Sequence, residues 1–175
     1  AFVPGGGSAP WFTADQLDLP FEASQVGPAG SMLGSGAIMV MDSTTDIPAA
    51  ALTLTHFYAH ESCGKCTPCR EGGTWLERIL TRIVNGTGTE ADLQQIFEVG
   101  AMICPGDFPH ASNEKLGLDA VPFPYKMTTI CFVGPSAFAP LHSAITLFRS
   151  EFESRLVRRI SIPVTAVSTP SVVSA

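Results

Sequence analysis

The sequence predicts an α+β chain in which a small β-rich unit precedes a bundle of four helices. Residues 1–46 are rich in Gly and Pro with short apolar pieces, whereas apolar residues recur at helical spacing further along the chain. Apolar residues make up 45% of the 175 residues, enough for a hydrophobic core. The net charge of −6 argues against a nucleic-acid partner, because phosphate binding requires a basic face.

The first elements follow from short local patterns. The apolar run at residues 37–41 predicts a buried strand, and residues 15–20 predict a short helical turn that ends at a proline. Gly5, Gly6, Gly7 and Ser8 predict a structural turn, because the phosphate-loop pattern and a following helix are missing. Asp46 can cap a helix that has Pro48 in its first turn and runs to about residue 60.

Three further helices follow. Apolar residues on one face predict a helix over residues 74–84, and the capping box formed by Thr89 and Asp92 begins another that ends near Cys104. An apolar stripe predicts the last helix over residues 139–157. Residues 105–127 lack periodicity and are expected to form a loop, and residues 158–175 are expected to form an extended tail.

One uncharged stretch has the length of a membrane span. Residues 127–148 contain no Asp, Glu, Lys or Arg, and 22 residues are long enough to cross a bilayer. Proline, glycine and histidine interrupt this stretch, at Pro135, Pro140, Gly134 and His142. We therefore expect a loop and a buried helix there, and no membrane span.

Three clustered cysteines are the most informative feature of the chain. Cys63, Cys66 and Cys69 form two successive C-x-x-C steps, which bring three thiolates into one short loop. Three soft ligands suit a metal or iron–sulfur site, whereas a disulfide needs only two. Five cysteines, three of them clustered, are a poor disulfide framework and suit a reducing compartment.

A fourth ligand has to come from elsewhere in the chain, and Cys104 and Cys131 are the candidates. Cys131 lies in a predicted turn just before a helix, where backbone N–H groups could also point at sulfur. Lys65 and Arg70 flank the thiolates, and they either raise the reduction potential of a cluster or are ordinary solvated charges. The alternatives are a structural zinc, a redox dithiol and inert buried cysteines; zinc sites usually show two separated C-x-x-C pairs.

Histidines are weaker candidates for ligands. His56 and His60 share a helix face, but the H-E-x-x-H pattern of zinc proteases is missing. His110 and His142 are isolated in the sequence. We expect all four to be ordinary surface or core residues.

The stretch FYAHESCGKCTPCREG, residues 57–72, resembles the iron–sulfur segment of the NADH-binding flavoprotein subunit of respiratory complex I. Related subunits of soluble hydrogenases and NAD-dependent formate dehydrogenases share this segment. Upstream, residues 4–10, 13–18 and 30–36 resemble the soluble-ligand-binding β-grasp domain of that family. Downstream, residues 129–131 and 140–152 resemble its fourth-ligand segment and last helix, so the resemblance covers residues 1–157.

The resemblance implies a domain organisation and a site. Residues 1–46 would form a partial soluble-ligand-binding β-grasp domain, residues 47–157 a helical domain with a [4Fe–4S] cluster, and residues 158–175 a tail. The implied cluster ligands are Cys63, Cys66, Cys69 and Cys131. The implied function is electron transfer in NADH:quinone oxidoreductase, from FMN reduced by NADH towards the next iron–sulfur cluster. The alternatives are the diaphorase part of a soluble hydrogenase or formate dehydrogenase, and a zinc-stabilised assembly module.

The chain also departs from the family. The FMN- and NADH-binding Rossmann-like domain is missing, so FMN and NADH are expected in a missing N-terminal part or in a partner chain, and this chain is expected to be a fragment or one half of a split subunit. Cys131 lies 62 residues after Cys69, which predicts an insertion within residues 105–127, and the family's Gly-Asp after the fourth cysteine is Gly134-Pro135 here. The expected partners are the remainder of the flavoprotein subunit and other iron–sulfur subunits of the peripheral arm. That arm lies on the cytoplasmic side of the bacterial inner membrane or on the matrix side of the mitochondrial inner membrane.

Overall fold

The computed structural model describes residues 1–105 and 127–157, and this part of the chain is mostly helical with a small two-stranded sheet. Two short strands, a 3₁₀ turn and a short helix precede five further helices. In chain order the elements are β1 (Phe2–Val3), the 3₁₀ turn (Ala14–Gln16), α1 (Ala23–Val26), β2 (Met39–Val40), α2 (Ile47–Glu61), α3 (Thr67–Val84), α4 (Glu90–Ile103), α5 (Val133–Leu147) and α6 (Arg149–Glu153).

The sheet is smaller and more exposed than the sequence predicts. Strands β1 and β2 are antiparallel, with Phe2 opposite Val40 and Val3 opposite Met39. The prediction of a buried strand over residues 37–41 is wrong, because β2 has two residues and Val40 is 78% exposed. The glycine-rich turn is tightly packed, since a Cβ on Gly5 would lie 2.1 Å from the carbonyl oxygen of Met32.

Two helix starts agree with their sequence signals. At the start of α2, the N–H of Ala49 donates to Asp46 Oδ1 over 3.0 Å, and Pro48 lies in the first turn. At the start of α4, the N–H of Asp92 donates to the Thr89 hydroxyl oxygen, while the N–H of Thr89 donates to the Asp92 carboxylate. Both predictions are confirmed because each cap satisfies N–H groups that the first helical turn leaves unpaired.

Helix α3 begins at Thr67 and not at residue 74, so the third cysteine lies inside the helix. Pro68 stands at the start, where its missing N–H is not needed. Two glycines follow within the helix, and a neighbouring helix passes close to the first of them. A Cβ on Gly72 would lie 2.9 Å from Ile103 Cδ1, and one on Gly73 would lie 3.6 Å from the Cα of Ala59.

The last predicted helix begins earlier and is divided in two. Helix α5 starts at Val133, so Pro135 falls in its first turn, and it ends at Leu147 before the short α6. Pro140 is accommodated inside α5. The predicted apolar stripe still faces the interior, since Leu141, Ile145 and Phe152 are buried.

One hydrophobic core joins the early segment to the helices. Helix α2 packs on α3 and α5, and α3 packs on α4. Val3, Ala9 and Trp11 belong to the same core cluster as residues of α2–α6. The backbone N–H of Trp11 donates to the hydroxyl oxygen of Ser143 in α5 over 2.8 Å.

Some predictions lie outside the described residues. These are the predicted loop over residues 105–127, apart from its two end residues, and the tail after residue 157. His110 lies in that loop and is also outside the described residues. The boundary at residue 46 stays a prediction. Among the described helices, none is long and apolar enough to cross a membrane.

Candidate metal centre

The three clustered cysteines lie in the short connection from α2 to α3. Ser62 is the residue that ends α2, Cys66 caps the N-terminus of α3, and Cys69 lies in the first turn of α3. Cys63 is exposed, Cys66 is half-buried and Cys69 is 9% exposed. The start of a helix favours negative charge, so this position suits thiolates.

A tight turn brings these cysteines together. Gly64 has a φ of +79°, a left-handed conformation that favours glycine. The Arg70 guanidinium reaches back from α3 and donates to the carbonyl oxygen of Gly64 over 2.7 Å, while its Nε donates to Glu71. Arg70 therefore holds the turn as well as placing positive charge beside the thiolates.

Cys131 lies in a bent segment between α4 and α5. The backbone N–H of Thr128 donates to the carbonyl oxygen of Ile103 over 3.1 Å. The Thr128 hydroxyl donates to the carbonyl oxygen of Met102 over 2.6 Å. The N–H of Ile130 donates to Cys66 Sγ over 3.3 Å. This last contact joins the segment that carries Cys131 to the clustered cysteines, and it provides an N–H donor to sulfur of the kind that the sequence suggests.

Electrostatic coupling places Cys131 with the other three cysteines. Burial raises the pKa of the Cys69 thiol, a hydrogen bond with the Ser62 hydroxyl opposes that rise, and negative charge on Cys131, Cys66 and Cys63 adds to it. Because each of these three cysteines acts on Cys69, the four side chains share one region of the molecule.

Cys104 has different surroundings. It is 2% exposed and belongs to the hydrophobic core, where burial raises the pKa of its thiol to about 11. Of the two candidates for a fourth ligand, the structure therefore brings Cys131, and not Cys104, to the clustered cysteines.

The donor set is one that a [4Fe–4S] cluster can use. Among residues 1–105 and 127–157, no three His, Cys, Asp or Glu side chains form a group that would hold one metal ion. A cubane cluster binds each of four thiolates through a different iron atom, and Cys63, Cys66, Cys69 and Cys131 supply four thiol groups.

The histidines lie outside the cysteine loop, whereas Lys65 lies within it. His56 Nδ1 is 2.6 Å from Glu77 Oε1 and His60 Nδ1 is 3.2 Å from Glu61 Oε1, and both histidines are exposed. Lys65 is exposed between the cysteines. His142 contacts the ring edges of Phe97 and Phe138.

Two interactions in the site were missed from the sequence. These are the Ser62 hydroxyl at 3.4 Å from Cys69 Sγ and the Thr128 anchor. The available signal was a hydroxyl residue beside each cysteine segment, but the partners of Thr128 are distant in the sequence.

Comparison with known proteins identifies an iron–sulfur binding region that includes the three clustered cysteines. Residues 49–108 match the family model described as the NADH-ubiquinone oxidoreductase-F iron–sulfur binding region. The chain is similar to the F subunit of NADH-quinone oxidoreductase from Streptomyces coelicolor, with 39% identity over 90% of this chain and 30% of that protein. The corresponding protein of Mycobacterium tuberculosis is 38% identical over 86% of this chain and 29% of its own length.

Solved structures add a likeness in fold. The chain is similar to NAD⁺-reducing [NiFe]-hydrogenase in the air-oxidized state, with a TM-score of 0.69 and 27% identity over 94% of this chain and 24% of that one. The H2-reduced state gives a TM-score of 0.67 and 26% identity. The chain spans about a third of the length of the curated relatives that it matches. These matches confirm the resemblance and the predicted class of site, an iron–sulfur binding region.

Proposed function

From its confirmed resemblance to the iron–sulfur part of the F subunit of NADH-quinone oxidoreductase, we propose that this chain is an electron-transfer module. Its proposed cofactor is one [4Fe–4S] cluster, and the proposed ligands are Cys63, Cys66, Cys69 and Cys131. The observation that carries the proposal is the hydrogen bond from the Ile130 N–H to Cys66 Sγ, which brings the segment with Cys131 to the clustered cysteines across 64 residues of sequence.

The residues of the chain hold the cluster and adjust its surroundings. When bound, the cluster supplies a one-electron acceptor and donor. Cys69 is buried and keeps water from one side, whereas Cys63 and Cys131 are exposed on another. The Ile130 N–H and the Arg70 charge stabilise negative charge on the sulfurs, which favours reduction.

The exposed side suits the exchange of electrons with a partner. Ile130 is 76% exposed, Met102 is 60% exposed and Trp75 is 46% exposed, and the first two lie beside the segment that carries Cys131. We propose that electrons arrive from FMN, reduced by NADH in the rest of the flavoprotein subunit or in a partner chain. They then leave to another iron–sulfur subunit of the peripheral arm.

Several finer assignments belong to the same proposal. Residues 1–46 would form part of a β-grasp domain, and the helices after residue 46 would form the cluster-bearing bundle. The assembly would be complex I, an NADH dehydrogenase of the respiratory chain. Its peripheral arm lies on the cytoplasmic side of the bacterial inner membrane or on the mitochondrial matrix side.

The first test is the composition of the chain purified without oxygen. We expect about four irons and four acid-labile sulfides per chain, a brown colour, and an EPR signal that appears after reduction with dithionite. One zinc per chain without iron would overturn the proposal and favour a zinc-stabilised assembly module.

A second candidate uses the same cluster in a different assembly. The likeness to an NAD⁺-reducing hydrogenase favours the diaphorase part of a soluble hydrogenase, and an NAD-dependent formate dehydrogenase is a related possibility. The proteins that co-purify with the chain separate these assemblies. Quinone-reductase subunits support complex I, whereas a hydrogenase or a formate dehydrogenase subunit supports the alternative.

A further inference from the structure

One side-chain hydroxyl lies against the most buried of the four cysteines. Ser62 Oγ is 3.4 Å from Cys69 Sγ, and the thiol and the hydroxyl could each be the donor in the free protein. Ser62 ends α2 with an extended backbone and is itself half-buried. Its position is therefore set by the helix that leads into the cysteine loop.

The direction of this hydrogen bond follows from its surroundings. The N–H of Gly64 donates to Ser62 Oγ over 3.4 Å, so one acceptor position of that oxygen is already used. A cysteine that binds iron is a thiolate and has no proton to give. With a cluster in place, the Ser62 hydroxyl has to be the donor and Cys69 Sγ the acceptor.

We propose that Ser62 is a positioning residue that raises the reduction potential of the cluster through its hydrogen bond to Cys69. This inference rests on the proposed function, because it requires a cluster on Cys69. Reduction adds one electron and therefore one negative charge to the cluster and its thiolates. A donor to sulfur stabilises that more negative state more than the oxidised state.

Because Cys69 is buried, the Ser62 hydroxyl should change the reduction potential more than any other side chain of the site. Cys63 and Cys131 are exposed, so water can donate to their sulfurs whichever residues surround them. Cys66 receives a backbone N–H, from Ile130, which no side-chain substitution removes. Cys69 is 9% exposed, so water is a poor substitute for the Ser62 hydroxyl there and solvent screens the interaction less.

The test compares two variants of nearly equal shape, Ser62→Val and Ser62→Thr, in the full chain purified without oxygen. Dithionite supplies the electron, and the EPR signal of the reduced cluster is followed against the applied potential. Losing the donor should reduce the equilibrium constant for reduction by about tenfold, which lowers the one-electron potential by about 59 mV. Ser62→Thr keeps the hydroxyl and should stay near the original potential.

The outcomes separate this inference from the proposed function. A chain of the original sequence without iron and sulfide overturns both. Equal potentials for Ser62→Val and Ser62→Thr, each with full iron content, overturn the role of Ser62 and leave the proposed function standing. Ser62→Ala provides a second removal of the donor without added volume. If Ser62→Val and Ser62→Ala both lose the cluster while Ser62→Thr keeps it, the hydroxyl holds the cluster instead of setting its potential, and the inference is wrong.

Discussion

The two segments that carry the proposed ligands are built in different ways. The triad segment, residues 62–69, is shaped by local structure: the end of α2, the turn at Gly64 and the first turn of α3. The single-cysteine segment, residues 128–131, is held by contacts with distant parts of the chain, through Thr128 to the end of α4 and through Ile130 to Cys66. A local pattern can thus supply three ligands, whereas the fourth depends on the packing of α4 and α5.

Removing one cysteine from each segment should have the largest effect. We expect Cys66→Ala and Cys131→Ala both to lose the cluster, because three thiolates leave one iron without its ligand. The helical part should also become less stable, since the free energy of metal binding is coupled to folding. Iron and sulfide analysis with thermal unfolding monitored by circular dichroism measures both effects.

The matched control is Cys104→Ala, which removes a cysteine from the core and not from the site. We expect full iron content and only a moderate loss of stability, of about 1 kcal/mol. Loss of iron from Cys104→Ala together with its retention in Cys131→Ala would reverse the assignment of the fourth ligand.

Disturbing the packing of α4 on α5 should affect the single-cysteine segment more than the triad segment. A Cβ on Gly100 would lie 1.9 Å from Phe138 Cζ, and Phe138 is 2% exposed. We expect Gly100→Ala to lower the free energy of unfolding by about 3 kcal/mol, because the buried ring cannot move aside. Chemical denaturation measures this change.

Gly72→Ala is the comparison for that variant. Its Cβ would meet Ile103 Cδ1 at 2.9 Å, and that methyl group is the end of a flexible side chain. We therefore expect a smaller loss of stability. An equal loss in the two variants would contradict the view that the Phe138 ring fixes α5 against α4.

The Thr128 anchor allows a finer test of the single-cysteine segment. Thr128→Val removes the hydroxyl that donates to the Met102 carbonyl oxygen and should lower stability by about 1 kcal/mol. Iron should also leave the protein faster when a chelator is added. Thr128→Ser keeps the donor and should release iron at the original rate; the same fast release from both variants would exclude the hydrogen bond as the anchor.

The smallest expected effect concerns the helix that leads into the triad segment. The pKa of Asp46 lies below its ordinary value of 3.8, mainly because the N–H of Ala49 donates to its carboxylate and also because Arg155 is close. A lowered pKa in the folded state stabilises the fold above about pH 4. That contribution is lost as the pH falls through the folded-state pKa.

Asp46→Asn isolates the effect of this charge, because Asn caps a helix about as well as Asp. Near neutral pH we expect a loss of a few tenths of a kcal/mol. Between pH 5 and pH 2, urea denaturation should show a weaker pH dependence in the variant than in the original chain. Identical pH profiles would mean that Asp46 does not couple protonation to folding.

The same division into local and distant contacts explains what the sequence could predict. The caps at Asp46 and Thr89 were predicted because their partners lie three residues away. The start of α3 was missed because glycines at two interior positions disfavour a helix, and the packing of Ile103 against Gly72 is not visible in the sequence.

The site shows the same limit. Cys63, Cys66 and Cys69 were recognised from their spacing alone, which places them in one loop whatever the rest of the chain does. The choice between Cys104 and Cys131 required the resemblance, because spacing does not reveal which of two distant cysteines faces the loop. The roles of Ser62 and Thr128 depend on three-dimensional distances that no sequence pattern encodes.

The contact between Trp11 and Ser143 has a consequence for protein synthesis. The two residues are 132 positions apart, so the ribosome finishes one of them well before the other exists. At a synthesis rate of about 5–20 residues per second, roughly ten seconds pass between the synthesis of Trp11 and that of Ser143. During that interval the nascent chain exposes apolar side chains that the finished protein covers, and it is then most open to capture by a chaperone.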